Sequence, residues 1–175
     1  MDEIKAIVGL GNPGQNYQRT YHNIGFLALN YLKKEGKIDS SESFKHPRRQ
    51  SFEYLKLGQK ILIKSCGFMN ESGGSVLVAL KYFRLKPKEL VVIHDDSDIP
   101  LGDYKLSFGR GSAGHRGVES IIQALGTKNF WRIRVGIRHL DGPKVQANKL
   151  VLKKMSAEEF KKIRVIFKTI RGIIN

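Results

Sequence analysis

Cysteine is nearly missing from this chain. Its one instance, Cys66, stands among 175 residues, which excludes an internal disulfide and suits a reducing compartment. An apolar strand and a glycine flank it, so no activating neighbour marks it as a nucleophile. Metal-ligand spacing is missing too: the five histidines, at 22, 46, 94, 115 and 139, form no His-x-x-x-His, and there is no Cys-x-x-Cys. No apolar run approaches the roughly 20 residues of a spanning helix, which argues against a membrane partner. Met1-Asp2-Glu3 leads straight into the first apolar run, leaving no room for a signal peptide, and a cytoplasmic location is expected. Repeats, low-complexity stretches and a Gly-x-Ser-x-Gly elbow are absent as well, so water is a better nucleophile candidate than a serine. Acidic residues are scarce. Sixteen Asp plus Glu face 31 Lys plus Arg, a net charge of +15 that favours a polyanionic partner, nucleic acid before membrane.

What is present reads as one α/β domain spanning residues 1–175, a twisted mixed sheet surrounded by helices. Ile4 to Leu10 suits a buried strand, and Gly9, Gly11, Pro13 and Gly14 then force an irregular turn. Asn23 to Glu35 carries an amphipathic helical pattern stopped by Gly36. Residues 37–50 are polar and basic, and the Ser40 to Gln50 stretch is a surface loop whose contact with RNA is left open. Phe52 to Leu57 and Ile61 to Ile63 form a hairpin around Gly58-Gln59. A helix is expected from Glu71 to Leu85, ended by Pro87, and Leu90 to Ile93 is a short central strand. It is expected to terminate in His94-Asp95-Asp96-Ser97-Asp98, a polar cluster at a strand's carboxyl end, where open α/β sheets favour ligands. A strand near Asp103 to Phe108, a glycine-rich loop from Gly109 to Gly117, a helix from Val118 to Leu125 and a strand from Trp131 to Ile137 follow. Ser156 and Glu159 form a capping box for a last helix with Phe160, Ile163, Phe167 and Ile170 on one stripe.

Gly9-Leu10-Gly11-Asn12-Pro13-Gly14 has the spacing of a dinucleotide fingerprint. That motif needs a helix starting on the loop and an acid about 20 positions later. Pro13 to Tyr17 starts no apolar-periodic helix and the next acid, Glu35, lies at a helix end, so an NAD(P) oxidoreductase is a remote alternative. A different chemistry fits better. His22 could act as a general base if Asp95 took one ring nitrogen, and the amides of Asn12 and Asn70 could serve a developing oxyanion.

Taken together, five stretches resemble the bacterial-type peptidyl-tRNA hydrolase family: Val8 to Gly14, Thr20-Tyr21-His22-Asn23-Ile24-Gly25, Phe68-Met69-Asn70-Glu71-Ser72-Gly73, His94 to Asp98, and Gly114-His115-Arg116-Gly117 with Leu125-Gly126-Thr127 behind. The resemblance implies a cytoplasmic, usually monomeric hydrolase without cofactor or metal, cleaving the ester between a peptide and the 3′ end of tRNA. By matching motif, His22 would be the base and Asp95 its orienting partner. Asn12 and Asn70 would position ester and water, Met69 line the channel, Tyr17 pack near the terminal nucleotide, and His115 match the loop histidine. Arg116 stands where the family usually has Asn. The family lysine that grips tRNA phosphate falls at Lys105, or at Ser107 by straight counting, with Arg134 as its basic companion and Arg110 as a substitute. Lys64-Ser65-Cys66-Gly67 replaces the more usual Pro and Thr. The competing expectation of another class is a non-catalytic RNA binder, since chloroplast splicing factors resemble the same family.

Overall fold

Alternation along the central strands assigns successive side chains to opposite cores, because neighbouring strand residues point to opposite faces of a sheet. In the computed structural model, which describes residues 4–36, 41–140 and 146–174, the elements in chain order are β1 (Ala6–Gly9), α1 (Ile24–Glu35), β2 (Phe52–Leu57), β3 (Lys60–Ser65), α2 (Ser72–Phe83), β4 (Leu90–Pro100), β5 (Tyr104–Phe108), α3 (Arg116–Leu125), β6 (Trp131–Arg138), α4 (Ala147–Leu150) and α5 (Ala157–Ile174). Ile7, Val91, Ile93, Ile133 and Val135 face one core, closed by α1 and α5 through Leu29, Ile163, Phe167 and Ile170. Ala6, Val8 and Val92 face the other, closed by α2 and α3 through Val76, Leu80, Val118 and Ile121. The result is a three-layer α/β/α arrangement.

The sheet order is β2-β3-β1-β4-β6-β5. β1 runs parallel to β3 and β4, β4 runs parallel to β6, and the edge strands β2 and β5 pair antiparallel, making the sheet mixed as expected. Met1 to Glu3 and residues 37–40, the start of the polar loop, lie outside the described residues.

Two expectations are corrected. The strand begun at Leu90 does not stop at Ile93: β4 keeps pairing with β6 through Asp95↔Val135 and Asp96↔Gly136, shifts register, and resumes at Pro100↔Arg138. Backbone pairing is indifferent to side-chain polarity, so the polar cluster lies within the strand. Nor does Pro87 end the second helix. α2 ends at Phe83, where Arg84 takes a left-handed conformation with φ 54° and its N–H bonds back to the carbonyls of Leu80 and Lys81.

Gly9 at the end of β1 and Gly25 on α1 serve close packing rather than a pyrophosphate, whereas Gly14, at φ 98°, has open space where a Cβ would stand. A Cβ at Gly25 would lie 2.1 Å from the Leu10 nitrogen, and one at Gly9 would lie 2.3 Å from the Gly25 carbonyl oxygen. Backbone therefore meets backbone where α1 crosses the end of β1. Gln15–Tyr17 forms only a 3-10 turn, and α1 begins at Ile24, well past the glycines. The helix N-terminus that a dinucleotide would need is not on this loop.

Candidate functional site

β1 makes its last bond to β4 from the Leu10 N–H to the Ile93 carbonyl, 3.0 Å, and then leaves the sheet while β4 continues. The residues of β4 just past that point are thus uncovered on one side. The loop leaving β1 is held open over them by Asn23, whose side chain accepts from the Asn12 N–H at 2.8 Å and donates to the Asn12 carbonyl at 3.0 Å. Asn23 substitutes for a missing strand partner. The 3-10 turn carrying His22 is braced from the far side, the His22 N–H donating to the Val151 carbonyl at 2.8 Å.

The imidazole of His22 reaches Asp95: Nδ1 lies 2.9 Å from Oδ1 and 3.1 Å from Oδ2. Nδ1 donates to the carboxylate, so Nε2 keeps the lone pair. A second imidazole shares the same carboxylate, His115 Nε2 standing 3.1 Å from Oδ1. His115 caps α3 by accepting the Val118 N–H on Nδ1, 3.3 Å, which fixes its hydrogen on Nε2 and makes it a donor to Asp95. The three groups are close enough to hold a metal, their ligand atoms within 4.8 Å of one another. Both rings, however, present N–H to the carboxylate, an arrangement complete as hydrogen bonds.

Asp95 is 2% exposed. Burial alone would push its carboxyl up, but the charge and hydrogen bond of His115, with those of His22, outweigh burial and hold it far below the usual carboxylate range. A third imidazole, His94, stacks edge-on to His115 at 4.6 Å and donates from Nδ1 to the Asp95 carbonyl at 2.7 Å. Complete burial, then repulsion from His115, push His94 well down, so it stays neutral. Its Nε2 is buried without a hydrogen-bond partner. The sequence named His94 only as part of a motif, and no periodicity could have placed its ring here.

Around this cluster opens a cavity of about 860 Å³, lined among others by Asn12, His22, Met69, Asn70, Asp95, His115 and Arg116. Asn12 is buried, and its Oδ1 accepts the Met69 N–H at 2.8 Å, which leaves its NH2 to donate into the cavity. Asn70 is exposed at the rim and Arg116 opens α3. Tyr17 does not line this space. It packs edge-on against Phe68, ring centroids 6.2 Å apart, and Phe68 forms part of the wall. Gln146, Asn148, Val151 and Leu152 supply a wall with no signal in the sequence, since the segment has neither strong periodicity nor a motif.

The basic residues gather in a separate cavity of about 520 Å³ between β5, β6 and the glycine-rich loop, where Lys105, Ser107, Arg110, Arg132 and Arg134 meet. Lys105 and Arg134 are cross-strand partners, so their side chains share a face. Arg134 is not free: its Nε donates to Asp96 at 2.7 Å. Arg132, 2% exposed, pins the glycine-rich loop by donating to the Gly111 carbonyl at 2.9 Å.

The sequence matches the family profile described as Peptidyl-tRNA hydrolase over residues 6–175. It is 42% identical to the peptidyl-tRNA hydrolase of Aquifex aeolicus, an alignment covering 98% of this chain and 89% of that protein. It is 41% identical to the peptidyl-tRNA hydrolase of Mycobacterium ulcerans, covering 91% and 83% respectively. Among solved structures it is similar to peptidyl-tRNA hydrolase from Acinetobacter baumannii, with a TM-score of 0.85 at 30% identity, covering 98% of this chain and 87% of that one.

Proposed function

Since this chain belongs to the peptidyl-tRNA hydrolase family and hydrolyses peptidyl-tRNA, we propose that His22 is the base of that reaction, oriented by Asp95. The contact of 2.9 Å between His22 Nδ1 and Asp95 is the observation that carries this reading. With Nδ1 committed, Nε2 takes a proton from water as the oxygen attacks the ester carbonyl carbon. The tetrahedral oxyanion accepts hydrogen bonds from the NH2 of Asn12 and, across the cavity, from Asn70. Collapse expels the 3′-oxygen of the terminal ribose, which recovers the proton from His22. No metal enters any step, because the imidazole supplies the base and the amides the electrostatic stabilisation.

His115 has a second function in this reading besides facing the substrate. By sharing Asp95 it keeps the carboxylate charged and steady while His22 cycles between protonation states. Arg116 brings a guanidinium to the place of the family's usual Asn, Met69 floors the channel, and Tyr17 acts through Phe68. Lys105, Arg110 and Arg134 take tRNA phosphate. Such contacts carry no sequence information, in keeping with a substrate that includes many tRNAs. The reading extends to a cytoplasmic monomer, as peptidyl-tRNA arises during translation; among the described residues no helix is long and apolar enough to cross a membrane.

The decisive experiment runs N-acetyl-aminoacyl-tRNA hydrolysis in water enriched in oxygen-18. One labelled oxygen is expected in the released carboxylate and none in the tRNA. Label in the ribose, or none in either product, would exclude attack by water on the carbonyl carbon.

A further inference from the structure

The hairpin edge of the sheet, away from the reacting residues, carries three metal-binding side chains of three different kinds. His46, Glu53 and Cys66 have ligand atoms within 4.8 Å of one another. They are distant in sequence, and strand register brings them together. Glu53 lies on β2, and Ser51 just before it accepts the Cys66 N–H at 3.0 Å, which puts Cys66 on the same face as Glu53 and diagonal to it. On the outer side, Lys45 and Tyr54 exchange both backbone bonds, 2.8 and 2.9 Å, as an antiparallel bridge, so His46 stands opposite Glu53.

We propose that these three side chains form a site for a zinc-class divalent cation. A thiolate, an imidazole and a carboxylate suit zinc or cobalt(II) and are a poor set for magnesium or calcium, which demand oxygen ligands. Burial and then Glu53 push the Cys66 thiol up, so the cation has to displace its proton; thiolate and carboxylate together then bring two negative charges, equal to the charge of the cation. His46 is prepared for ligation: its Nε2 donates to the Gln50 carbonyl at 2.7 Å, which leaves the lone pair on Nδ1. Metal-binding imidazoles commonly fix their free ring N–H in this way. Lys64, the register partner of Glu53, feels the charge of that carboxylate but directs its ammonium elsewhere. Its ammonium donates to Asn30 Oδ1 at 2.7 Å and sits 3.9 Å over the Phe44 ring. Tetrahedral zinc with bonds of about 2.0–2.3 Å needs ligand atoms roughly 3.5 Å apart, so small rotamer adjustments close the site, and water fills the fourth position.

The consequence reaches the cleft through the chain. Cys66 is followed by Gly67-Phe68-Met69-Asn70, the segment that walls the catalytic cavity. A cation at Cys66 anchors the base of that wall without touching the reacting atoms.

Cobalt(II) titration of the chelator-treated protein tests the site, because a sulfur-to-cobalt charge-transfer band can arise only at Cys66, the sole cysteine. A band saturating at one cobalt per chain is expected. It should vanish in Cys66→Ser and require at least ~10-fold more metal in Glu53→Gln and in His46→Gln. Zinc at ~100 times its dissociation constant should raise the melting temperature of the wild type by about 5–10 °C, and leave that of Cys66→Ser unmoved. Three results would overturn the proposal: no band at millimolar cobalt; a band indifferent to Glu53→Gln and His46→Gln, which marks a lone thiol; or cobalt binding without a sulfur band and with loss of hydrolysis, which places the cation on His22, Asp95 and His115 instead. The titration does not depend on the mechanism assigned to His22.

Discussion

The two cavities flank the same glycine-rich loop and use opposite physics. In the one around His22, two imidazoles share a single buried carboxylate while a third, His94, bonds the backbone carbonyl of the same Asp95, and the fixed geometry of hydrogen bonds of 2.7 to 3.1 Å decides which nitrogen is free. In the other, Lys105, Arg110, Arg132 and Arg134 collect positive charge with Asp96 as the acidic contact of Arg134. Directed bonds to a buried carboxylate are screened little by salt, whereas attraction to phosphate across a wet surface is screened strongly. The contrast separates turnover from grip: damage to the first cavity should appear in kcat, damage to the second in KM and its salt dependence.

The strongest test of that division is His22→Ala. Turnover should fall by about 10⁴-fold, the upper end of general-base contributions, while tRNA affinity in a filter-binding assay stays within about twofold. Near-normal hydrolysis by this variant would remove the base. Asp95→Asn comes next, with kcat expected to drop about 10²-fold because the amide orients His22 without favouring its charged form. The same variant has an acid-side signature. A carboxyl whose folded pKa lies below the unfolded value of about 3.9 contributes stability above that pH and loses it as pH falls through the depressed value. The stability advantage of the wild type over Asp95→Asn, measured by urea unfolding, should therefore not shrink until the pH is below about 3.9. Shrinkage near pH 6 would mean that Asp95 is not held ionised. The smallest effect belongs to the second cavity. Lys105→Gln with Arg110→Gln should raise KM about tenfold at unchanged kcat and flatten the slope of log(kcat/KM) against log salt by about one per lost contact. An equal loss in kcat would erase the distinction between the two cavities.

Sequence patterns carried the layers of the fold, because apolar alternation at Ile7, Val8, Val91 and Val92 and the capping box at Ser156 and Glu159 are local signals. Where partners are distant, those signals fail. Nothing near Asp95 shows that β4 continues through it, since the pairing that defines the strand is made with β6, some 40 residues later. Nothing near His115 announces a bond to a carboxylate twenty positions earlier, and its ring looked free for substrate. Linear spacing likewise shows nothing of the approach of His46, Glu53 and Cys66, which β-register brings together from three separate segments. The dinucleotide-like glycines misdirect for the converse reason: one local pattern serves two unrelated needs, and only the position of α1 tells them apart.

The contact between Gly9 and Gly25 sets how near the first helix can come to the sheet, and His22 rides three residues ahead of Gly25. A single methyl group inserted there would act as a wedge, tilting the imidazole off its anchor while every reactive group remained chemically intact. Drift in this sequence is therefore poorly tolerated at two hidden positions that carry no functional side chain.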